Sequence, residues 1–142
     1  MYVKHLAWLQ AAPDLTEAEA KAGKKKKPRM DVYTSGHGYS FMPKVTASYL
    51  LSELHNAGLA KSGSNGIEPL SWTELKAYVD LTDSALQPWE CEAMIEVSRT
   101  YVRSYHAASD NTMHPPYVTE NEDELEQHEQ WVIANDESLS RS

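Results

Sequence analysis

The sequence predicts a mainly α-helical chain, a small domain of about three packed helices between N- and C-terminal arms that are flexible or extended. Three observations predict it. Apolar residues in the central third recur at the i, i+3, i+4, i+7 spacing of a buried helix face. Ser/Thr-x-x-Glu capping boxes and Gly or Pro stop signals bracket those runs. Charge is segregated: residues 1–30 carry a net +4, residues 31–109 a net −4 and residues 110–142 a net −8, giving −8 overall. That distribution describes a modest core with two polar ends. The organisation read from it is an N-terminal arm over 1–42, a helical core over 43–109 and an acidic arm over 110–142.

In the first arm, residues 1–22 suit one or two short helices broken at Pro13, with Thr16-Glu17-Ala18-Glu19 as a capping box and Gly23 as a stop. Lys24-Lys25-Lys26-Lys27-Pro28-Arg29 self-repels and reads as a linker. Residues 30–42 hold Gly36, Gly38 and Tyr39 without a helical period and read as loop or a short extended segment.

In the core, Pro43 can open a helix on which Ala47, Leu50, Leu51 and Leu54 share a face, and Gly58 closes it. Lys61-Ser62-Gly63-Ser64-Asn65-Gly66 reads as a loop. Ser71 and Glu74 then form a capping box, opening a helix with Trp72, Leu75, Tyr78 and Val79 on one face. Pro88 suits the first position of a third helix running to Ala107. Its buried face holds Cys91, Met94, Ile95, Ser98, Tyr101, Val102 and Tyr105, and its wet face Glu92, Glu96, Arg99, Arg103 and His106. Leu50, Leu54, Trp72, Leu75, Val79, Trp89, Met94 and Tyr101 are expected to be buried together.

After Asn111, Met113-His114-Pro115-Pro116-Tyr117 stops helix formation. Thr119-Glu120-Asn121-Glu122 is a third capping box, ahead of a terminal helix with Leu125, Trp131, Val132 and Ile133.

The chemistry expected of these residues is meagre. Cys91 is the only thiol, and on the apolar face with Met94 and Tyr101 it reads as a structural side chain. The six histidines, His5, His37, His55, His106, His114 and His128, lack metal-site spacing. Gly36-His37-Gly38 has too few glycines, and no following lysine, for a phosphate loop. The expectation is therefore no catalytic residue, no cofactor and no metal. An acidic chain argues against general nucleic-acid binding, and the exposed face of the third helix sets two arginines against Glu92 and Glu96. No apolar run approaches the ~18 residues of a membrane span, and Leu6–Ala12 is too short and interrupted for a signal-peptide core. A soluble, cytoplasmic chain is expected. A core of some 65 residues supplies only about 3–5 kcal/mol, which favours an interaction module that leans on partners or self-association.

The run Ile67-Glu68-Pro69-Leu70-Ser71-Trp72-Thr73-Glu74-Leu75-Lys76-Ala77-Tyr78, then Leu81-Thr82, Leu86-Gln87-Pro88-Trp89-Glu90, Ile95 and Tyr101, resembles a small family of tailed bacteriophages. Its members are tail assembly chaperones or their frameshift-made extensions. Tyr49-Leu50 and Glu53-Leu54 match the family's first helix, although the tryptophans often found there are absent. The resemblance covers about residues 45–105 and reaches neither arm. It implies a non-enzymatic protein of the host bacterial cytoplasm that binds the tape measure protein, the major tail tube protein or both, and leaves before the virion is finished. The alternatives are a structural tail component retained in the particle, or a small DNA- or polymerase-directed regulator using the lysine run. Partner contacts are expected at Tyr49, Tyr78, Trp72 and Trp89: a core this small cannot cover all its aromatics, and Tyr49 lies off its helix's apolar stripe.

Overall fold

In the computed structural model, which describes residues 1–136, the elements run α1 (Tyr2–Gln10), α2 (Glu17–Lys21), α3 (Arg29–Val32), α4 (Ser48–Ala57), β1 (Ala60–Gly63), β2 (Gly66–Pro69), α5 (Trp72–Thr82), α6 (Pro88–Ala107) and α7 (Glu122–Asn135). The fold is mainly α, as expected. It divides into two compact units, a terminal one of residues 1–44 with 107–136 and a central one, Val45–His106. Among the described residues no helix is long and apolar enough to cross a membrane.

Local chemistry accounts for the central helices. The Ser71 hydroxyl accepts the Glu74 amide at 3.2 Å while the Glu74 carboxylate accepts the Ser71 amide at 2.9 Å. Two donors that a helix start would leave bare are thereby satisfied, and α5 begins at Trp72. α6 begins at Pro88, and the Glu90 carboxylate reaches back to the Gln87 amide at 2.7 Å. Gly58, at φ +99°, ends α4 in a conformation that a side chain would strain. α4 does not start at Pro43, however. Its first residue is Ser48, after Ala47 as an N-cap that makes no side-chain hydrogen bond.

The stretch read as a loop is a hairpin. β1 and β2 pair antiparallel, Ala60 opposite Pro69 and Gly63 opposite Gly66, with Ser64 and Asn65 making the turn. Gly66 follows that turn at φ +102°, a left-handed position that favours glycine. Ser98 on α6 ties down both ends of the hairpin: its hydroxyl donates to the Leu59 carbonyl at 2.7 Å and accepts the Leu70 amide at 2.8 Å. Around that knot, Leu54, Leu70, Leu75, Met94 and Ile95 are buried together, with Leu50, Val79, Leu86 and Val97 packed against them. Each full burial contributes about 1.5–3 kcal/mol. The expected core is corrected: Trp72 is 50% exposed and Trp89 59%, Leu50 and Val79 are only partly buried, and Tyr101 is buried outside this cluster. Both tryptophans occupy the first turn of their helix, away from the aliphatic centre.

The arms carry the short helices and the terminal helix expected of them. They are corrected in their arrangement: they pack together as one unit rather than lying flexible or extended. α1 buries Val3, His5, Ala7, Trp8 and Leu9. Trp8 stacks near His5 and Tyr33 at ring separations of 5.7 and 5.8 Å, with the Arg29 guanidinium 4.8 Å from its centroid. Arg29 is itself buried and donates to the carbonyls of Trp8 (3.1 Å), Ala108 (2.7 Å) and Asp110 (2.9 Å). The Trp8 indole donates to the Met113 carbonyl at 3.1 Å. Residues 30–42 are not plain loop, since α3 extends into them and Gly38–Ser40 forms a 3-10 turn. α2 has its Thr16–Glu19 capping box. The third box does not form: Asn121, not Thr119, caps α7 by accepting the Glu124 amide at 3.2 Å, while Thr119 accepts the Asn121 amide and donates to the Glu124 carboxylate. Lys24 to Lys27 are exposed and outside any helix or strand.

Candidate protein-binding surface

Within the central unit, α5 and the start of α6 leave a groove of about 260 Å³ between them, lined by Trp72, Leu75, Lys76, Val79, Pro88 and Cys91. Trp72, Leu75, Lys76 and Val79 follow the i, i+3, i+4, i+7 rule along α5, so one helix face supplies one wall. Pro88 and Cys91, three apart, supply the other. Leu75 closes the floor at 1% exposure, whereas Trp72 stands half in solvent at the mouth. Lys76 is the one charged lining residue, and its ammonium is held by Asp80 at 2.6 Å. The volume lies below the ~300–1,000 Å³ of small-ligand pockets and suits one or two apolar side chains.

The four expected contact residues all lie in the central unit but do not converge. Trp72 lines the groove and Trp89 does not. Tyr49 is half exposed, and its hydroxyl donates to the Glu90 carboxylate at 2.9 Å. Tyr78 is half-buried, packed on the aliphatic core, and donates to Glu53 at 2.6 Å. Both phenols are pushed up from their ordinary value, first by these hydrogen bonds to carboxylates. Leu75, Val79, Pro88 and Cys91 were absent from the expected contact set. The α5 stripe that puts Trp72 beside Leu75 and Val79 is the signal that could have found them.

Cys91 is half-buried in the groove wall, and burial, then the Glu90 charge, pushes its thiol up. At neutral pH the sulfur keeps its proton and behaves as apolar surface.

The terminal unit gathers histidines into an aromatic cluster. His37 lies 4.7 Å from the His128 ring and 4.6 Å from Trp131. His37 Nδ1 accepts the Tyr39 amide and His128 Nδ1 the Gly38 amide, both at 2.9 Å. Each ring in that geometry is neutral with its proton on Nε2, so neither nitrogen offers a lone pair to a metal. Burial, then the neighbouring His128, pulls the His37 pKa down. Among the described residues no group of three or more His, Cys, Asp or Glu side chains could hold a metal ion. Lys24, Lys25 and Lys27 border an open hollow with Pro13, Leu15 and Val32, but Asp14 and Glu19 share its lining and temper the positive charge.

No family model matches the chain, and no curated protein or solved structure matches it.

Proposed function

We propose that the chain is a non-enzymatic binding protein of bacteriophage tail assembly, a chaperone acting in the host cytoplasm. It engages the tape measure protein, the tail tube subunit or both through the central unit. The observation carrying this reading is the Trp72 groove: a half-exposed tryptophan over an apolar slot, in a domain whose other large apolar side chains are mostly packed. Exposed aromatics beside a small pocket are what an anchor in a protein interface looks like. The resemblance over residues 45–105 supplies the identity of the partners. A long helical tape measure protein exposes apolar surface before the tube closes around it, and a small module can cover that surface.

Co-expression with the tape measure and major tail proteins, followed by affinity capture and mass spectrometry, tests the reading. Recovery of either protein, together with depletion of this chain from purified virions, is the expected result. High copy number in mature particles without capture of either protein would replace the chaperone with a structural tail component.

A further inference from the structure

We infer that the α5–α6 groove takes the apolar face of a basic amphipathic helix, with Trp72 as the wall that closes over it. The inference rests on the docking role proposed above and adds the chemistry of what docks. The slot is bounded by two helices and has side-chain dimensions, so it accepts residues projecting from a regular element at i and i+3 or i+4.

Charge selects among such helices. Asp80 directly follows Val79, Asp83 caps the end of α5, and Glu90 and Glu92 flank Cys91. Lys76 and Asp80 pair with each other, which leaves Asp83, Glu90 and Glu92 as net negative charge beside the lining residues along the chain. Glu92 is exposed and makes no ion pair among the described residues. A helix bringing lysines or arginines beside its apolar stripe meets complementary charge, and an acidic one meets repulsion. That repulsion disfavours a second copy of this chain as occupant. Its own exposed amphipathic helix, α7, presents Leu125, Val132 and Ile133 but surrounds them with Glu122, Asp123, Glu126 and Glu129.

The test uses the full chain and two synthetic helical peptides with the same leucine spacing, one with a lysine polar face and one with a glutamate polar face. Binding is followed by NMR shift mapping at low and moderate salt. The lysine peptide is expected to bind at least about tenfold more tightly, to shift resonances of Trp72, Val79 and Cys91, and to weaken about tenfold in Trp72→Ala. The Glu92→Lys variant should narrow the preference between the peptides.

Equal binding of the two peptides overturns the proposed chemistry. Binding that maps to α7 and survives Trp72→Ala overturns the groove, as does self-association abolished by that same substitution. Tail-protein capture separates this inference from the reading beneath it. Capture that persists in Trp72→Ala, with no peptide bound, defeats the groove alone. Groove binding of the lysine peptide without capture of a tail protein defeats the phage assignment alone.

Discussion

Trp8 in the terminal unit and Trp72 and Trp89 in the central unit are treated in opposite ways. In the terminal unit Trp8 is 3% exposed, and its indole N–H is satisfied by the Met113 carbonyl. In the central unit Trp72 and Trp89 stand half outside while leucine, methionine and isoleucine fill the centre. The reason lies in what each segment has to bury. The central helices supply enough aliphatic side chains at helical spacing to close a core unaided. The end segments are poor in such residues and close around rings and polar groups instead: His5, Arg29 and Thr119 are all buried there. A buried indole or guanidinium contributes large contact area but requires its donors to be met, so that unit depends on specific hydrogen bonds. The central unit depends on volume, and leaves Trp72 and Trp89 at its surface.

Matched truncations should break the two units differently, and these carry the largest expected effects. Leu75→Ala opens a cavity at a 1% exposed site, which should destabilise the central unit by about 2–5 kcal/mol. Arg29→Ala leaves three carbonyls without their donor and removes the cation over Trp8, and should destabilise the terminal unit by about 3 kcal/mol or more. Arg29→Met, which keeps the apolar stem, should recover less than Leu75→Met does. Urea titrations with residue-resolved amide exchange assign each loss to its unit. Equal rescue by methionine at both positions would erase the distinction between a core held by donors and one held by volume.

Ser98→Ala probes the one polar knot in the aliphatic unit. The substitution strands the Leu70 amide and the Leu59 carbonyl beside the core, and should cost about 1–3 kcal/mol with faster exchange at Leu70. An unchanged Leu70 amide would mean that the hairpin is held by its own turn.

Acid should separate the units as well. Burial lowers the His5 pKa, and burial with the His128 neighbour lowers that of His37. A histidine depressed in the folded state is protonated more readily when unfolded, so the unfolded chain takes up more protons below the ordinary value of about 6.5. Stability of the terminal unit should therefore be complete above that pH and decline as pH falls toward the folded-state values. Protonated His37 would also lose the Tyr39 amide bond to Nδ1. The central unit holds His55 and His106, neither of them buried. Denaturation midpoints read on each unit's amides between about pH 7 and 5 measure the difference, and His37→Phe should flatten the terminal unit's slope.

Much of the central unit is legible in the sequence because its signals are local. The Ser71–Glu74 box, Pro88 and Gly58 act within four residues of the boundary they set. The faces of α6 follow largely from period: Met94, Ile95, Ser98, Tyr101 and Val102 of the expected face are buried, while Cys91 and Tyr105 at its ends are only half-buried. The hairpin hides because Ser62 to Gly66 has loop composition, although Asn65-Gly66 is a reversal signal. The short helices of the terminal unit are legible too, but their packing is not, for a different reason. Its ties join Trp8 to Met113, Arg29 to Ala108 and Asp110, and Gly38 to His128, and no local pattern encodes pairings that distant. The groove falls between these cases. Periodicity places Trp72 on the face of Leu75 and Val79, but does not tell a first-turn residue within the core from one standing at its edge.

The smallest expected effect is the one that separates that edge from the core. Were Trp89 a core residue, as its place at the mouth of a helix suggests, Trp89→Ala would cost about 3–5 kcal/mol. At 59% exposure most of the ring is already in water, and less burial is lost when it goes. Trp72→Ala should behave similarly, because its floor neighbour Leu75 stays in place. Both substitutions should therefore cost the central unit about 1–2 kcal/mol, less than a fully buried tryptophan would. Their effects on binding should diverge, since Trp72 lines the groove and Trp89 does not. Chemical denaturation of the two variants, alongside tail-protein capture, reads both quantities. A stability loss at Trp72 as large as that of Leu75→Ala would return this tryptophan to the core and leave the groove without its anchor.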